Sequence, residues 1–131
     1  MIFGGIKMRM LITGSRNHDN KDMIIDNIEF YLGDSYIEDV TIIEGGARGA
    51  DRIAKEHGLD MGYKVETFNA NWKQYGKKAG GIRNQEMVDS GADICLAFPL
   101  GNSIGTYDCV RRAKKSGIRT CLLYTSPSPR D

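Results

Sequence analysis

Val40-Thr41-Ile42-Ile43-Glu44-Gly45-Gly46-Ala47-Arg48-Gly49-Ala50-Asp51 passes from a buried strand through three glycines into a helix. Val40 to Glu44 is the strand. Ala50 to Met61 is the helix, with Ile53, Ala54, His57 and Met61 on neighbouring positions and Gly62 after them. Upstream, Arg9 to Thr13 is a short apolar run ended by Gly14-Ser15. Asp19 or Asn20 then caps a helix that carries Met23, Ile24, Ile25, Ile28, Tyr31 and Leu32 and stops at Gly33. Downstream, Tyr63 to Phe68 alternates as a third strand, and a polar, aromatic loop follows. Gly81 to Val88 reads as a helix, Asp93 to Phe98 as a strand, Gly105 to Lys115 as a helix and Ile118 to Leu123 as a last strand. Strands alternating with helices predict an α/β domain, a parallel sheet of about five strands with helices on both faces.

In such a sheet ligands bind beyond the carboxyl ends of the strands. The unusual residues all follow strands: Gly14-Ser15-Arg16, the turn from Gly45 to Asp51, the stretch from Asn69 to Asn84, and the turn from Pro99 to Asp108. Ligand chemistry is therefore expected on one edge.

The 131 residues suffice for one domain that buries roughly two-thirds of its extended surface. Eighteen Lys and Arg stand against 17 Asp and Glu, so the formal charge of +1 supplies no global field for nucleic acid or membrane, and any basic surface must be local. Cys95, Cys109 and Cys121 fall in apolar or helical patterns without metal or redox spacing, and read as reduced core residues of a cytoplasmic protein. No apolar stretch is long enough to span a bilayer, and the start lacks the order of a secretory signal. Residues 1–7 precede further methionines at Met8 and Met10 and read as an extension. Residues 124–131, a proline-serine tail, fit neither helix nor strand and resemble translated adapter sequence. That reading expects a disordered, non-native tail and the loss of a last helix, with the domain itself covering 8–123.

Gly45, Gly46 and Gly49 permit positive φ and close approach of a ligand, and the helix after them presents free N–H groups. The spacing matches neither the dinucleotide G-x-G-x-x-G nor the P-loop. It serves a phosphate cradle or a tight strand-to-helix turn equally; Arg48 tilts the balance toward an anion, while Asp51 reads first as the helix N-cap. Gly105 and Thr106 can form a second anion cradle at a helix start, although Pro99 to Thr106 taken alone reads better as an ordinary loop. Two cradles suggest one phosphate-bearing ligand between them. Trp72, Tyr75 and the cations from Lys73 to Arg83 could stack on a base and meet phosphate, although the reading preferred for Trp72 itself is a side chain folded back onto the domain. Arg83, at a helix start, is a phosphate or leaving-group contact. His18 and His57 have no partners at ligand spacing, so no metal is expected, and Ser15 with His18 makes no convincing triad.

Gly14-Ser15-Arg16, Gly45 to Asp51, Trp72 to Gly76, Ala79-Gly80, Arg83-Asn84 with Met87, Ala97-Phe98-Pro99 and Gly105-Thr106-Tyr107-Asp108 together resemble the YspA-like, YpsA-related branch of the SLOG superfamily, small Rossmann-like proteins of bacteria and their phages. The resemblance runs from Met8 to Leu123. The superfamily joins DNA-processing protein A, a single-strand DNA binder, to the Lonely Guy phosphoribohydrolases. By resemblance to the latter, Arg83 falls on a catalytic arginine and Gly105-Thr106 on a phosphate turn. Cys109 takes the place of the catalytic glutamate, and Pro99-Leu100-Gly101 replaces Pro-Gly-Gly. Glycosidic cleavage needs a carboxylate to stabilise a cationic sugar. Asp108 lies one residue early, about 100° around the helix. If the protein is an enzyme, the expected catalytic residues are Arg83 and Asp108.

The resulting expectation is a Rossmann-like module that binds a nucleotide or nucleotide-derived small molecule as a sensor. Ser15, Arg16, Gly45, Gly46, Arg48, Gly49, Asp51, Gly105 and Thr106 form the ligand site, and neither cofactor nor metal is needed. The alternatives are a nucleoside 5′-monophosphate phosphoribohydrolase and, against the neutral charge, a single-stranded DNA binder. No membrane partner is expected, and the resemblance implies a homodimer paired through helices.

Overall fold

The computed structural model describes residues 6–33 and 37–127. The readings for residues 1–5 and 128–131 lie outside them. Five strands, β1 (Ile6–Gly14), β2 (Ile37–Glu44), β3 (Lys64–Thr67), β4 (Ile94–Phe98) and β5 (Arg119–Leu122), form one parallel sheet in the order β3-β2-β1-β4-β5. The helices are α1 (Lys21–Leu32), α2 (Ala50–Met61), α3 (Trp72–Tyr75), α4 (Ala79–Asp89) and α5 (Ile104–Lys115), with a 3₁₀ turn at Gly76–Lys78. The chain is a single α/β Rossmann-like domain.

Alternation along the central strands divides the core in two. Met10, Ile12, Ile42, Leu96 and Phe98 pack with α1 and α2, whereas Leu11, Ile43 and Cys95 pack with α4 and α5 through Met87, Val88, Cys109 and Ala113. All five residues of β4 are buried, as a parallel strand covered on both faces requires. Each buried aliphatic side chain contributes roughly 1.5–3 kcal/mol, so these two layers hold the sheet. β1 and β4 are hydrogen-bonded neighbours whose following helices lie on opposite faces. Their loops diverge, and the strand order reverses there; this is the point at which open α/β sheets form a ligand crevice.

The elements differ from the sequence reading in instructive places. β1 starts at Ile6, so Ile6 and Lys7 are strand rather than extension; Ile6 is paired but exposed, which hides it from an apolar pattern. The loop after β3 contains α3 and the 3₁₀ turn. Neither buries a residue; α3 is held by Asn71, whose side chain accepts from the Gln74 amide at 3.0 Å. α4 begins at Ala79, two residues before the expected Gly81. In the tail, the Thr125 carbonyl accepts from Nδ2 of the buried Asn27 side chain at 2.9 Å. No helix among the described residues is long and apolar enough to cross a membrane.

Candidate functional site

A cleft of about 1520 Å³ opens beyond the carboxyl ends of the strands, and all four strand-following loops line it. Ser15, Arg16, Gly45, Gly46, Arg48, Asp51, Arg83, Gly105, Thr106 and Asp108 all border the cleft. Gly49 does not: a Cβ there would lie 2.3 Å from the Ser15 carbonyl oxygen, so this glycine lets the first two loops touch backbone to backbone. Seven cations line the cleft against four carboxylates, which makes the local field positive on a nearly neutral chain.

The first glycine turn is filled by the protein itself. The Gly46 amide donates to Glu44 Oε1 at 2.7 Å, and the Gly45 and Ala47 amides donate to Asp51 Oδ2 at 3.2 and 3.3 Å. The Thr67 hydroxyl donates to the other oxygen of Glu44. Three amides expected to cradle a phosphate are thus already used. Two expectations are corrected here. Gly49, not Asp51, is the N-cap of α2, and Asp51 turns its carboxylate back onto the turn. Positive φ occurs at Gly46 (73°) and Gly49 (74°) but not at Gly45. Gly45 has another reason to be glycine: a Cβ would lie 2.5 Å from Arg83 Nη1, because that guanidinium donates to the Gly45 carbonyl.

Asp51 is 5% exposed, and its Oδ1 is buried without a hydrogen-bond partner among the described residues. Burial pushes the carboxyl up to about 7; the Ala47 amide and the Arg83 charge oppose that rise, and Glu44 adds to it.

The second cradle is different. α5 starts at Ile104, its first intrahelical bond running from the Tyr107 amide to the Ser103 carbonyl at 3.0 Å. The Gly105 and Thr106 amides therefore precede any intrahelical donor, and no acceptor among the described residues takes them. A Cβ at Gly105 would meet nothing within 4 Å, so this end of the helix faces open space.

Asn84 joins that helix start to Arg83. Its Oδ1 accepts from Arg83 Nε at 2.9 Å, and its Nδ2 donates to the Gly105 carbonyl at 3.1 Å and to Asp108 Oδ2 at 3.0 Å. Arg83 is thus held at Nε and Nη1. Asp108 is held still more firmly: Arg112 Nε meets Oδ2 and Arg111 Nη2 meets Oδ1, both at 2.8 Å. Burial pushes Asp108 up, but its bonds to Arg112 and Asn84 and the two guanidinium charges outweigh this and hold it below the usual carboxylate range.

A model of the YspA, cpYpsA-related SLOG family matches residues 8–75. The gene 61 protein of Mycobacterium phage D29 is 47% identical over 115 residues, covering 84% of this chain and 91% of the relative. The chain belongs to the YspA, cpYpsA-related SLOG family. DNA processing protein A from Streptococcus pneumoniae has a similar fold, with a TM-score of 0.65 at 15% identity over 88% of this chain and 50% of that one. The chain therefore spans half the length of that structure.

In this SLOG domain the family match ends at Tyr75, so Arg83, Asn84 and Asp108 lie beyond it. Cys109, which takes the place of a glutamate by resemblance, is fully buried; the Cys95 thiol lowers its pKa against burial, with help from Thr13. His18 is buried edge-on against Phe98 and accepts from the Asn20 amide, and His57 pairs with Glu29 at 2.9 Å. Among the described residues no cluster of His, Cys, Asp or Glu is placed to hold a metal ion. Trp72 is 56% exposed and lines the cleft; of the expected fold-back onto the domain, only the contact of its ring end with Gly80 is present. Sequence reasoning missed Glu44 as a site residue; its signal was a carboxylate closing an otherwise apolar strand directly before Gly45-Gly46.

Proposed function

We propose that this SLOG domain binds the phosphate end of a nucleotide or nucleotide-derived small molecule, with Gly105, Thr106 and Arg83 as the principal contacts. The observation that carries this reading is the uncapped start of α5, open to the cleft and tied through Asn84 to a guanidinium fixed on two sides. Amides at a helix N-terminus and an arginine fork are complementary to phosphate oxygens. Ser15, Arg16 and Arg48 belong to the rim, while Gly45, Gly46, Glu44 and Asp51 shape the turn that presents the Gly45 carbonyl to Arg83. The geometry favours recognition over glycosidic cleavage, because both oxygens of Asp108 are already engaged by three side chains. A sensor module fits a site that holds an anion without a free carboxylate at the sugar.

Isothermal titration with nucleoside monophosphates, cyclic nucleotides and ADP-ribose tests the reading. Binding by at least one is expected, weakened roughly 10- to 100-fold by Arg83→Ala, the loss of a charge-assisted hydrogen bond. Gly45→Ala is expected to weaken it in the same direction by displacing the guanidinium. No heat from any of these ligands at millimolar concentration overturns it.

A further inference from the structure

We infer that Trp72 is the stacking platform for the nucleobase of the ligand, an inference that rests on the phosphate site proposed above. Trp72 is the only tryptophan of the chain, and 56% of it is left in water although burying an indole is strongly favourable. Tyr75, on the same short helix, is also exposed but does not border the cleft. What distinguishes Trp72 is the wall behind it. A Cβ at Gly80 would lie 3.4 Å from Trp72 Cη2, so the six-membered end of the indole rests against a position without a side chain. Gly81 follows, where a Cβ would come within 3.0 Å of Arg112 Nη2. Two adjacent glycines at the start of a helix give up helix propensity relative to alanine. Here Gly80 leaves room for the indole and Gly81 for the Arg112 guanidinium.

The platform is also anchored. The Asn71 side chain caps α3 through the Gln74 amide, the Gly76 amide returns to the Trp72 carbonyl, and Asn69 at the root of the arm packs against Gly46. Lys77 and Lys78 border the same cleft and give that end the positive charge a nucleotide requires. The cleft of about 1520 Å³ exceeds the roughly 300–1,000 Å³ of an ordinary small-molecule pocket, leaving room for a base beside the sugar phosphate. Aromatic faces accept any base, so the platform adds affinity for nucleotides as a class without choosing among them.

The single tryptophan makes its own emission the probe. The four common nucleoside 5′-monophosphates and ribose 5-phosphate are titrated into the full chain at up to millimolar concentration, with calorimetry in parallel. At least one nucleotide is expected to quench emission excited at the red edge of tryptophan absorption, while ribose 5-phosphate binds without quenching. Trp72→Ala is expected to weaken the nucleotide roughly 5- to 150-fold, and to leave ribose 5-phosphate unchanged. Trp72→Phe is expected to recover most of the loss. Nucleotide binding in the calorimeter without quenching, or equal loss for both ligands in Trp72→Ala, overturns the platform and leaves the phosphate site standing. No binding of any probe to the unaltered chain overturns both.

Discussion

Asp51 is the residue whose chemistry departs furthest from its position in the sequence. An aspartate two places into a helix ordinarily sits in water near the helix start, where its charge is favourable. Here burial raises its pKa to about 7, above the ordinary carboxylate value that holds in the unfolded chain. Between about pH 4 and pH 7 the folded protein keeps a proton that the unfolded chain has released. Stability therefore falls as pH rises through that window and levels off above it, by on the order of 4 kcal/mol from this group. Urea denaturation at pH 4.5, 6 and 8 is expected to show the decline in the unaltered chain and a flatter profile in Asp51→Asn, which keeps an acceptor for Gly45 and Ala47. An unchanged slope in Asp51→Asn assigns the proton to another group. Arg48 and the glycines pointed to an anion at this turn, but not to the protein's own Glu44 and Asp51 as the acceptors that fill it. That fact depends on which way a side chain faces, and both readings of Asp51 leave the same letters.

At the scale of elements, α4 and α5 meet through Asn84. It is 3% exposed and has three partners, on its own helix and on α5. Asn84→Ala leaves Arg83 Nε, the Gly105 carbonyl and one oxygen of Asp108 each short of a bond, and is expected to cost about 2–4 kcal/mol, read as a shift in denaturation midpoint. Asn84→Asp is expected to be no milder, since it sets a carboxylate 3.0 Å from Asp108 where a donor stood. The two helices were legible in the sequence, and so was the placing of their starts on the ligand edge, to within two residues. The bond between them was not, because Asn84 and Asp108 are joined only when both helices dock on one face of the sheet. α3 was illegible for the opposite reason: it buries nothing, so it lacks the stripe from which helices are read.

For the whole molecule, five strands, their parallel arrangement and the gathering of four loops on one edge could all be read from alternating strand and helix patterns. Strand order could not, and strand order decides where the cleft lies: β1 beside β4 brings the loop at Ser15 between the turns at Gly45 and Gly105. The seat of Trp72 is equally a property of the assembled domain, since its indole rests against Gly80 of α4. The turn from Gly45 to Ala47, with its amides already bonded to Glu44 and Asp51, bears on how fast a ligand is captured. A turn satisfied from within needs no visitor to hold its shape, so entry involves no prior ordering of that loop. In stopped-flow mixing with a nucleotide, the observed rate is expected to rise linearly with ligand concentration in a single phase; a plateau would reveal a rearrangement before capture. With arrival alike for ligands of similar size and charge, discrimination among them rests on residence time, and so on how long each one stays bound after it has docked.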